Sequence, residues 1–389
     1  MSTQPTSEEA PFIWHTPQPT QPNPTGCVVF AVPAKDEEDS IADCIAAFED
    51  QRGEGDGCLP QSGHEVLILV NNTTDATVQR ALVARRHLGI HIVSTALPPE
   101  RAHIGWARRL AMNWGSRRLA QNSHTDGIIV STDADSRLAP DFIHELLQTF
   151  TNPTVDAAGA SLAVHGELPS GVFGHLNHYF LLEKALQLKA QQQTRFDLMH
   201  SHFSGAGFAV RQHVYEAVGG LTPFPYNEDK QFYYKLLQRD ARIRMNDRLI
   251  VHTSARLTGR TEWGMAAQLR QWQQLQERGE GVFVSSAQSQ WVYFQLQMAL
   301  YNYWLLRTEE KLAQVCQYLQ ACCLPNAVTF LAKIDVPPYF GQYWCCVWEH
   351  PKLVEARQSA FPAVDVNDSF TGFSEFLAEP GQDASLQRA

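Results

Sequence analysis

Cys27-Val-Val-Phe-Ala-Val32 is an unbroken apolar run, and a run without polar alternation marks a strand covered on both faces, as in a parallel sheet. Val66-Leu-Ile-Leu-Val70 repeats the pattern, and Ile90-His-Ile-Val93 and Gly127-Ile-Ile-Val-Ser131 follow it. Between these runs the spacing changes. Ile41, Cys44, Ile45 and Phe48 recur at i, i+3, i+4 and i+7, the stripe of a helix laid on a sheet. Val78, Ala81, Leu82 and Arg85 mark a second helix that Thr74 or Asp75 can cap, and Trp106 to Leu119 reads as a third. Strand and helix alternating in this rhythm predict right-handed crossovers and an α/β fold, a mixed, mostly parallel sheet flanked by helices.

The rest of the chain is less regular. Residues 172–192 and Glu228 to Gln238 read as helices, Ile250-Val-His252 as a short strand, and the chain beyond residue 262 as largely helical. Residues 1–25, rich in Pro, Gln and Thr without periodicity, read as a disordered arm, and residues 361–389 as a flexible tail.

Composition narrows the function. Apolar residues make up 44% of the 389, enough for a packed core, and the net charge of −10 disfavours a nucleic-acid partner, which needs a basic face. The most apolar helix, Trp291 to Leu306, is broken by Gln295, Gln297 and Asn302, so no transmembrane segment is expected. The start of the chain has neither a basic cluster nor an apolar run, and the 8 cysteines include no C-x-x-C pair. Both features predict a reducing, cytoplasmic setting.

In an open α/β sheet the ligand lies at the carboxyl ends of the strands. Here those ends carry Pro33 to Glu38, Asn71 to Asp75 and Thr132 to Ser136, all polar and poor in glycine. No G-x-G-x-x-G and no phosphate-binding G-x-x-x-x-G-K-[ST] follows a strand, so a nicotinamide dehydrogenase and a P-loop enzyme are both disfavoured. In Asp133-Ala-Asp135, extended backbone sends both carboxylates to one face and Ala134 to the other. Two neighbouring carboxylates repel unless a cation lies between them, and oxygen donors suit Mn²⁺ or Mg²⁺ shared with substrate phosphates. Asp135 or Ser136 equally suits a cap for the helix near Asp141.

Two further constellations stand out. Glu228 and Asp229 open a helix, where they can act as first-turn acids or, in the case of Asp229, as a general base toward a hydroxyl. His252 is a third metal-ligand candidate, and Arg256 and Arg260 have the spacing and charge to hold a diphosphate; a hydrogen-bonded structural histidine is the plainer alternative for His252.

Taken in order, these segments resemble a non-processive family two glycosyltransferase with the GT-A, nucleotide-diphospho-sugar transferase-like fold. The resemblance spans roughly residues 26–260. Val32-Pro-Ala-Lys-Asp-Glu-Glu38 is similar to the opening P-x-x-N-E, with Asp36 in the Asn place. Val70-Asn-Asn-Thr-Thr-Asp75 is similar to V-D-D-G-S-T-D, with Asn71 where an Asp commonly reads the nucleobase. Gly105-Trp-Ala-Arg108 resembles a shortened G-x-A-x-A-R, and Asp133-Ala-Asp135 matches the D-x-D metal motif. Phe203 to Val210 matches the acceptor-side S-G-A-G region, and Glu228-Asp229 the E-D pair. Gln268-Leu-Arg-Gln-Trp272 departs from the processive Q-x-x-R-W motif, with Gln271 in the arginine place.

The resemblance implies a metal-dependent, inverting transfer of a sugar from a nucleotide-diphosphate donor to a hydroxyl acceptor. It implies Asp229 and Glu228 as catalytic residues, and Pro33, Glu37, Asn71, Asp75, Arg108, Asp133, Arg256 and Arg260 around the donor. It further implies Mn²⁺ or Mg²⁺ on Asp133, Asp135 and His252, and the acceptor beside Gly205, Ala206 and Gly207. The implied catalytic domain covers residues 26–262, with a nucleotide-binding half at 26–136 and an acceptor half at 137–262, followed by a helical extension at 263–360. A retaining glycosyltransferase, a sugar nucleotidyltransferase and a catalytically silent binding module remain alternatives on the same fold.

Overall fold

The computed structural model describes residues 12–19, 27–53, 63–87, 89–121, 126–165, 172–192, 203–254 and 265–378. Along the chain the elements begin β1 (Ile13–Trp14), β2 (Val28–Ala34), α1 (Ile41–Glu49), β3 (His64–Asn71), α2 (Thr77–Ala84) and β4 (Ile90–Thr95). They continue with α3 (Ile104–Gln121), β5 (Ile128–Ser131), β6 (Arg137–Leu138), α4 (Phe142–Phe150), β7 (Ala157–His165) and α5 (Val172–Gln192). Then come β8 (Phe208–Arg211), α6 (Gln212–Ala217), α7 (Glu228–Leu237) and β9 (Ile243–Ser254). Two compact units result, with α5 and the chain from Gln268 in the second.

The first unit is built on a nine-stranded sheet in the order β1-β4-β3-β2-β5-β8-β7-β9-β6. The four strands with the apolar runs, β4, β3, β2 and β5, pair in parallel. Every residue of β2 is buried, as a strand covered on both faces requires. Ile41, Cys44, Ile45 and Phe48 are the buried residues of α1, and Phe48 packs edge-on against Phe30 with ring centroids 4.9 Å apart. Burying each such ring contributes roughly 2–3 kcal/mol.

Strand direction decides where function can sit. β8 runs antiparallel to β5, with Phe208 opposite Ser131. The segment entering β8 therefore arrives at the edge where β2, β3 and β5 end. β7 is antiparallel to β8 and parallel to β9, so the end of β9 reaches the same edge. β6 then pairs antiparallel with β9, setting Arg137 opposite His252.

Part of the expected loose arm is ordered. Ile13 and Trp14 pair antiparallel with Ser94 and Val93 of β4. Thr16 Oγ1 accepts from the Ile92 N–H at 3.1 Å. The Trp14 ring packs 6.3 Å from His91 and 6.4 Å from Trp114, centroid to centroid. Two residues are too short for a periodicity signal, and aromatic docking supplies what propensity does not.

The second unit is helical. After α5 it contains α8 (Met265–Glu277), β10 (Phe283–Val284), α9 (Ala287–Leu306), α10 (Glu309–Ala321), α11 (Ala327–Leu331) and α12 (Phe340–Trp348). It closes with α13 (Pro351–Ala360), β11 (Val364–Asp365) and α14 (Val366–Ala378). Helix α14 lies where a flexible tail was expected. Its Phe373 is fully buried, packed 5.4 Å from Tyr179, and its Phe376 lies 5.9 Å from Trp291. The carboxylate of Asp240 takes the N–H groups of Phe340 and Gly341 at 2.8 and 2.7 Å, which holds the start of α12. Among the described residues no helix is long and apolar enough to cross a membrane.

Candidate active site

At the carboxyl edge of the parallel strands, tight turns are locked by side chains. Asp36 follows β2 in the left-handed region at φ 51°, and Asn72 follows β3 at φ 48°. Asp36 Oδ1 accepts from the Thr74 N–H at 2.7 Å and from Thr73 Oγ1 at 3.1 Å. Asp75 Oδ1 accepts from the Thr77 N–H at 2.9 Å, and its Oδ2 from the Glu38 N–H at 3.1 Å. Burial pushes both carboxyls up in pKa, but these hydrogen bonds outweigh it and hold them below the usual range. The Asn72 amide bridges to Leu97, donating to its carbonyl at 2.8 Å and accepting from its N–H at 3.1 Å.

Several expected donor residues are thus engaged in the turns themselves. Asp75 braces the start of α2, and Glu37 is buried with Oε2 accepting from Ser40 Oγ at 2.5 Å. Pro33 lies buried inside β2, in register with Leu69. Asn71 ends β3 opposite Thr95, its residue 3% exposed. Arg256 and Arg260 lie outside the described residues.

The D-x-D segment follows β5 with the expected alternation: Asp133 and Asp135 half-buried, Ala134 and Ser136 buried. The Cys44 thiol donates to the Asp133 carbonyl at 3.8 Å. Burial pushes that thiol up, with the charges of Asp135, Glu37 and Asp133 adding to the effect, so four acids of this edge act on one sulfur once Asp43 is included. His252 sits half-buried near the end of β9, beside β6.

Arg108, projecting from α3, organises the centre. Its Nε donates to Glu228 Oε1 at 2.9 Å and its Nη2 to Asp133 Oδ1 at 2.8 Å. Its Nη1 donates to Ser131 Oγ at 2.5 Å and to the Gly205 carbonyl at 2.8 Å. The Arg108 side chain is 3% exposed and that of Glu228 6%. Burial alone would lower the guanidinium pKa, but Asp133, Glu228 and Asp229 outweigh it and hold it above the ordinary value. Burial likewise raises Glu228, against the pull of Arg108. Arg108 and Glu228, expected beside the donor and in catalysis, are bonded to each other and, through Arg108, to Ser131, Asp133 and the Gly205 carbonyl.

Asp229 differs. Half-buried at the start of α7, it receives the Gly205 N–H on Oδ2 at 2.6 Å and the Lys230 N–H on Oδ1 at 2.7 Å. Asn227 turns the chain into that helix at φ 54°. The neighbouring Ala206 carbonyl accepts from Thr132 Oγ1 at 2.8 Å. Gly207 is wedged so that a Cβ would meet Ala160 Cβ at 2.8 Å and Val251 Cγ2 at 3.0 Å. Asp133, Arg108, Gly205 and Asp229 thereby form one continuous chain of contacts.

Among the described residues no three His, Cys, Asp or Glu side chains gather into a closed metal cage. The donor chemistry nonetheless fits an open cation site. Arg108 takes Oδ1 of Asp133, and 33% of that side chain faces solvent. Two carboxylates with solvent access suit a hard cation that completes its shell with phosphate and water oxygens.

A parallel sheet with acids from separate loops on its carboxyl edge is the layout of a GT-A transferase. The model of the family described as "Glycosyltransferase like family 2" matches residues 24–274, and the chain belongs to that family. The chain is a glycosyltransferase. Among solved structures it is similar to the mannosyltransferase PcManGT from Pyrobaculum calidifontis in complex with GDP-Man and Mn²⁺, at 17% identity over 90% of each chain and a TM-score of 0.43. TarS 1-349 of S. aureus, in complex with UDP-GlcNAc, matches at 14% identity over 85% of this chain and 79% of that one, with a TM-score of 0.43. The glucosyl-3-phosphoglycerate synthase of Mycobacterium tuberculosis matches at 19% identity over 66% and 82%, with a TM-score of 0.37. A comparison with curated proteins finds no match.

Proposed function

We propose that the protein transfers a sugar from a nucleoside-diphosphate donor to a hydroxyl-bearing acceptor, in one inverting displacement that requires Mn²⁺ or Mg²⁺. The observation that carries this reading is the linkage of Asp133 to Asp229 through Arg108 and Gly205, which sets a cation-type acid and a base-type acid on one frame. The donor belongs to the half at 26–136, with Asn71 toward the base, and the acceptor to the half at 137–262, beside Gly205, Ala206 and Gly207.

Asp229 takes the proton of the acceptor hydroxyl onto its carboxylate. The acceptor oxygen bonds to the anomeric carbon as the bond from that carbon to the diphosphate oxygen breaks, and the electron pair leaves with the diphosphate. The Gly205 and Lys230 N–H groups fix the Asp229 carboxylate so that a lone pair stays aimed at the acceptor. Asp133 and Asp135 would hold the cation, which would supply charge neutralisation for the leaving diphosphate, while among the described residues His252 does not gather with them into a three-ligand set. The free cysteines among the described residues fit a reducing cytoplasm as the working compartment.

Release of nucleoside diphosphate from a panel of UDP- and GDP-sugars, with and without Mn²⁺, tests the reading. Asp135→Ala is expected to abolish turnover and its metal dependence; a fully active, metal-responsive variant overturns it. The anomeric configuration of the product, read by NMR, separates inversion from retention.

A further inference from the structure

Asp133, after β5, and Glu228 and Asp229, in the first turn of α7, all act on one buried guanidinium. Carboxylates gathered this closely repel one another, and a site meant to be held together by a metal would splay when the metal leaves. Here four hydrogen bonds from Arg108, to Asp133, Glu228, Ser131 and the Gly205 carbonyl, span the cluster. They need no bound ion.

We propose that Arg108 is the resident counter-ion of the acidic cluster: it holds the site assembled before substrate arrives and, by its charge, keeps a divalent cation from settling on Asp133 until a diphosphate accompanies it. This role is positioning and electrostatic, distinct from donor binding, and it rests on reading Asp133 as a cation ligand. A full positive charge bonded to one oxygen of Asp133 opposes a dication at the other. The negative charge of a donor diphosphate offsets that opposition, so cation and donor load together. The consequence runs against ordinary expectation, because deleting a residue of the active-site frame should strengthen metal binding.

The experiment compares Mn²⁺ binding to nucleotide-free protein, by electron paramagnetic resonance of the free ion, in Glu228→Gln and in the double variant R108M/E228Q. The double variant removes both members of the buried pair, a change that cores commonly tolerate, and leaves no lone buried carboxylate at position 228. Mn²⁺ is expected to bind R108M/E228Q at least ~10-fold more tightly than E228Q, from the lost repulsion between neighbouring cations. Arg108→Lys, which keeps the charge, is expected to stay within roughly threefold of wild type by the same reasoning. If the double variant does not fold, Arg108→Gln carries the same expectation of tighter binding.

Equal or weaker Mn²⁺ binding in the charge-removed variant overturns the proposal, because a purely packing role could only loosen the site. If Mn²⁺ drives transfer in wild type but binds the charge-removed variant no more tightly, the counter-ion role alone falls. If wild type transfers sugar without any metal and neither form binds Mn²⁺, the cation reading falls and this proposal with it.

Discussion

Gly205 and Asp229 are joined by a 2.6 Å hydrogen bond from the glycine N–H to Oδ2, while the carbonyl of the same glycine accepts from Arg108. One peptide segment thus ties the base-type carboxylate to the arginine that grips Asp133. There is no space at this glycine for a side chain. A Cβ would lie 2.6 Å from Arg108 Nη2, 2.9 Å from Cζ and 3.3 Å from Asp229 Oδ2.

Gly205→Ala should therefore damage chemistry more than folding. Displacing Asp229 by a fraction of an ångström is expected to lower kcat roughly 10- to 100-fold, since reacting groups lose alignment. The overpacking itself costs about 1–3 kcal/mol of stability. Transfer kinetics beside thermal unfolding would check this, and an unaltered kcat would detach Gly205 from the reaction.

Asp229→Asn keeps an oxygen for only one of the Gly205 and Lys230 N–H groups and removes the proton acceptor. The expected loss is roughly 10²- to 10⁴-fold in kcat, the usual worth of a positioned base. Donor KM should barely move, while the melting temperature falls slightly because the amide NH2 group leaves one backbone N–H without an acceptor. A large rise in donor KM would instead make Asp229 a binding residue.

Trp14→Ala should release β1 from the sheet, because the ring contacts with His91 and Trp114 anchor a strand of only two residues. The cost is expected at about 2–4 kcal/mol, in line with the loss of a large aromatic. Amide exchange at Ile92 and Ser94 should speed up while transfer persists. Unchanged protection there would show that β1 contributes nothing to holding that edge.

The two units should respond to acid in opposite directions. In the first, burial lowers His64 and His91 from 6.5 to about 4. Between these values the unfolded chain binds protons that the folded unit refuses, so stability is lost as the pH falls from 6.5 toward 4. In the second, burial raises Glu183 from 4.5 to about 7, with a hydrogen bond from Gln290 working the other way. The folded unit there binds the extra proton, so stability grows as the pH falls from 7 toward 4.5. Each effect is of order 2 kcal/mol. Hydrogen exchange at pH 7.5 and 5, corrected for intrinsic rates, resolves the two units; a shift of both in one direction contradicts this assignment. Glu183→Gln should flatten the response of the second.

The parallel strands, the D-x-D turn and the acids at the start of α7 were legible because each has a local signature. Apolar runs mark strands buried on both faces, and alternation sets Asp133 and Asp135 on one side of the chain. The role of Arg108 was not legible, because its partners Ser131, Asp133, Gly205 and Glu228 are scattered along the chain and meet only through the reversal of β8. Asp75 and Glu37 stand out by position, but their hydrogen bonds from Thr77 and Ser40 were not legible before the turns were in place. β7 escaped notice since Ala157-Ala-Gly-Ala160 has small residues where a strand signal needs branched ones. Helix α14 carried a signal that was passed over: Val366, Phe370, Phe373 and Leu377 recur at helical spacing within a polar stretch.

The reversal of β8 has a wider consequence. Because Phe208 is pinned opposite Ser131 and β7 lies beside β8, the spacing between Asp133 and Gly205 is set by strand pairing and not by the number of residues between Ser131 and Phe208. Insertions into that stretch that leave α4, β7 and α5 intact would not retune the chemistry. It is the natural place for a scaffold of this kind to acquire a new clientele.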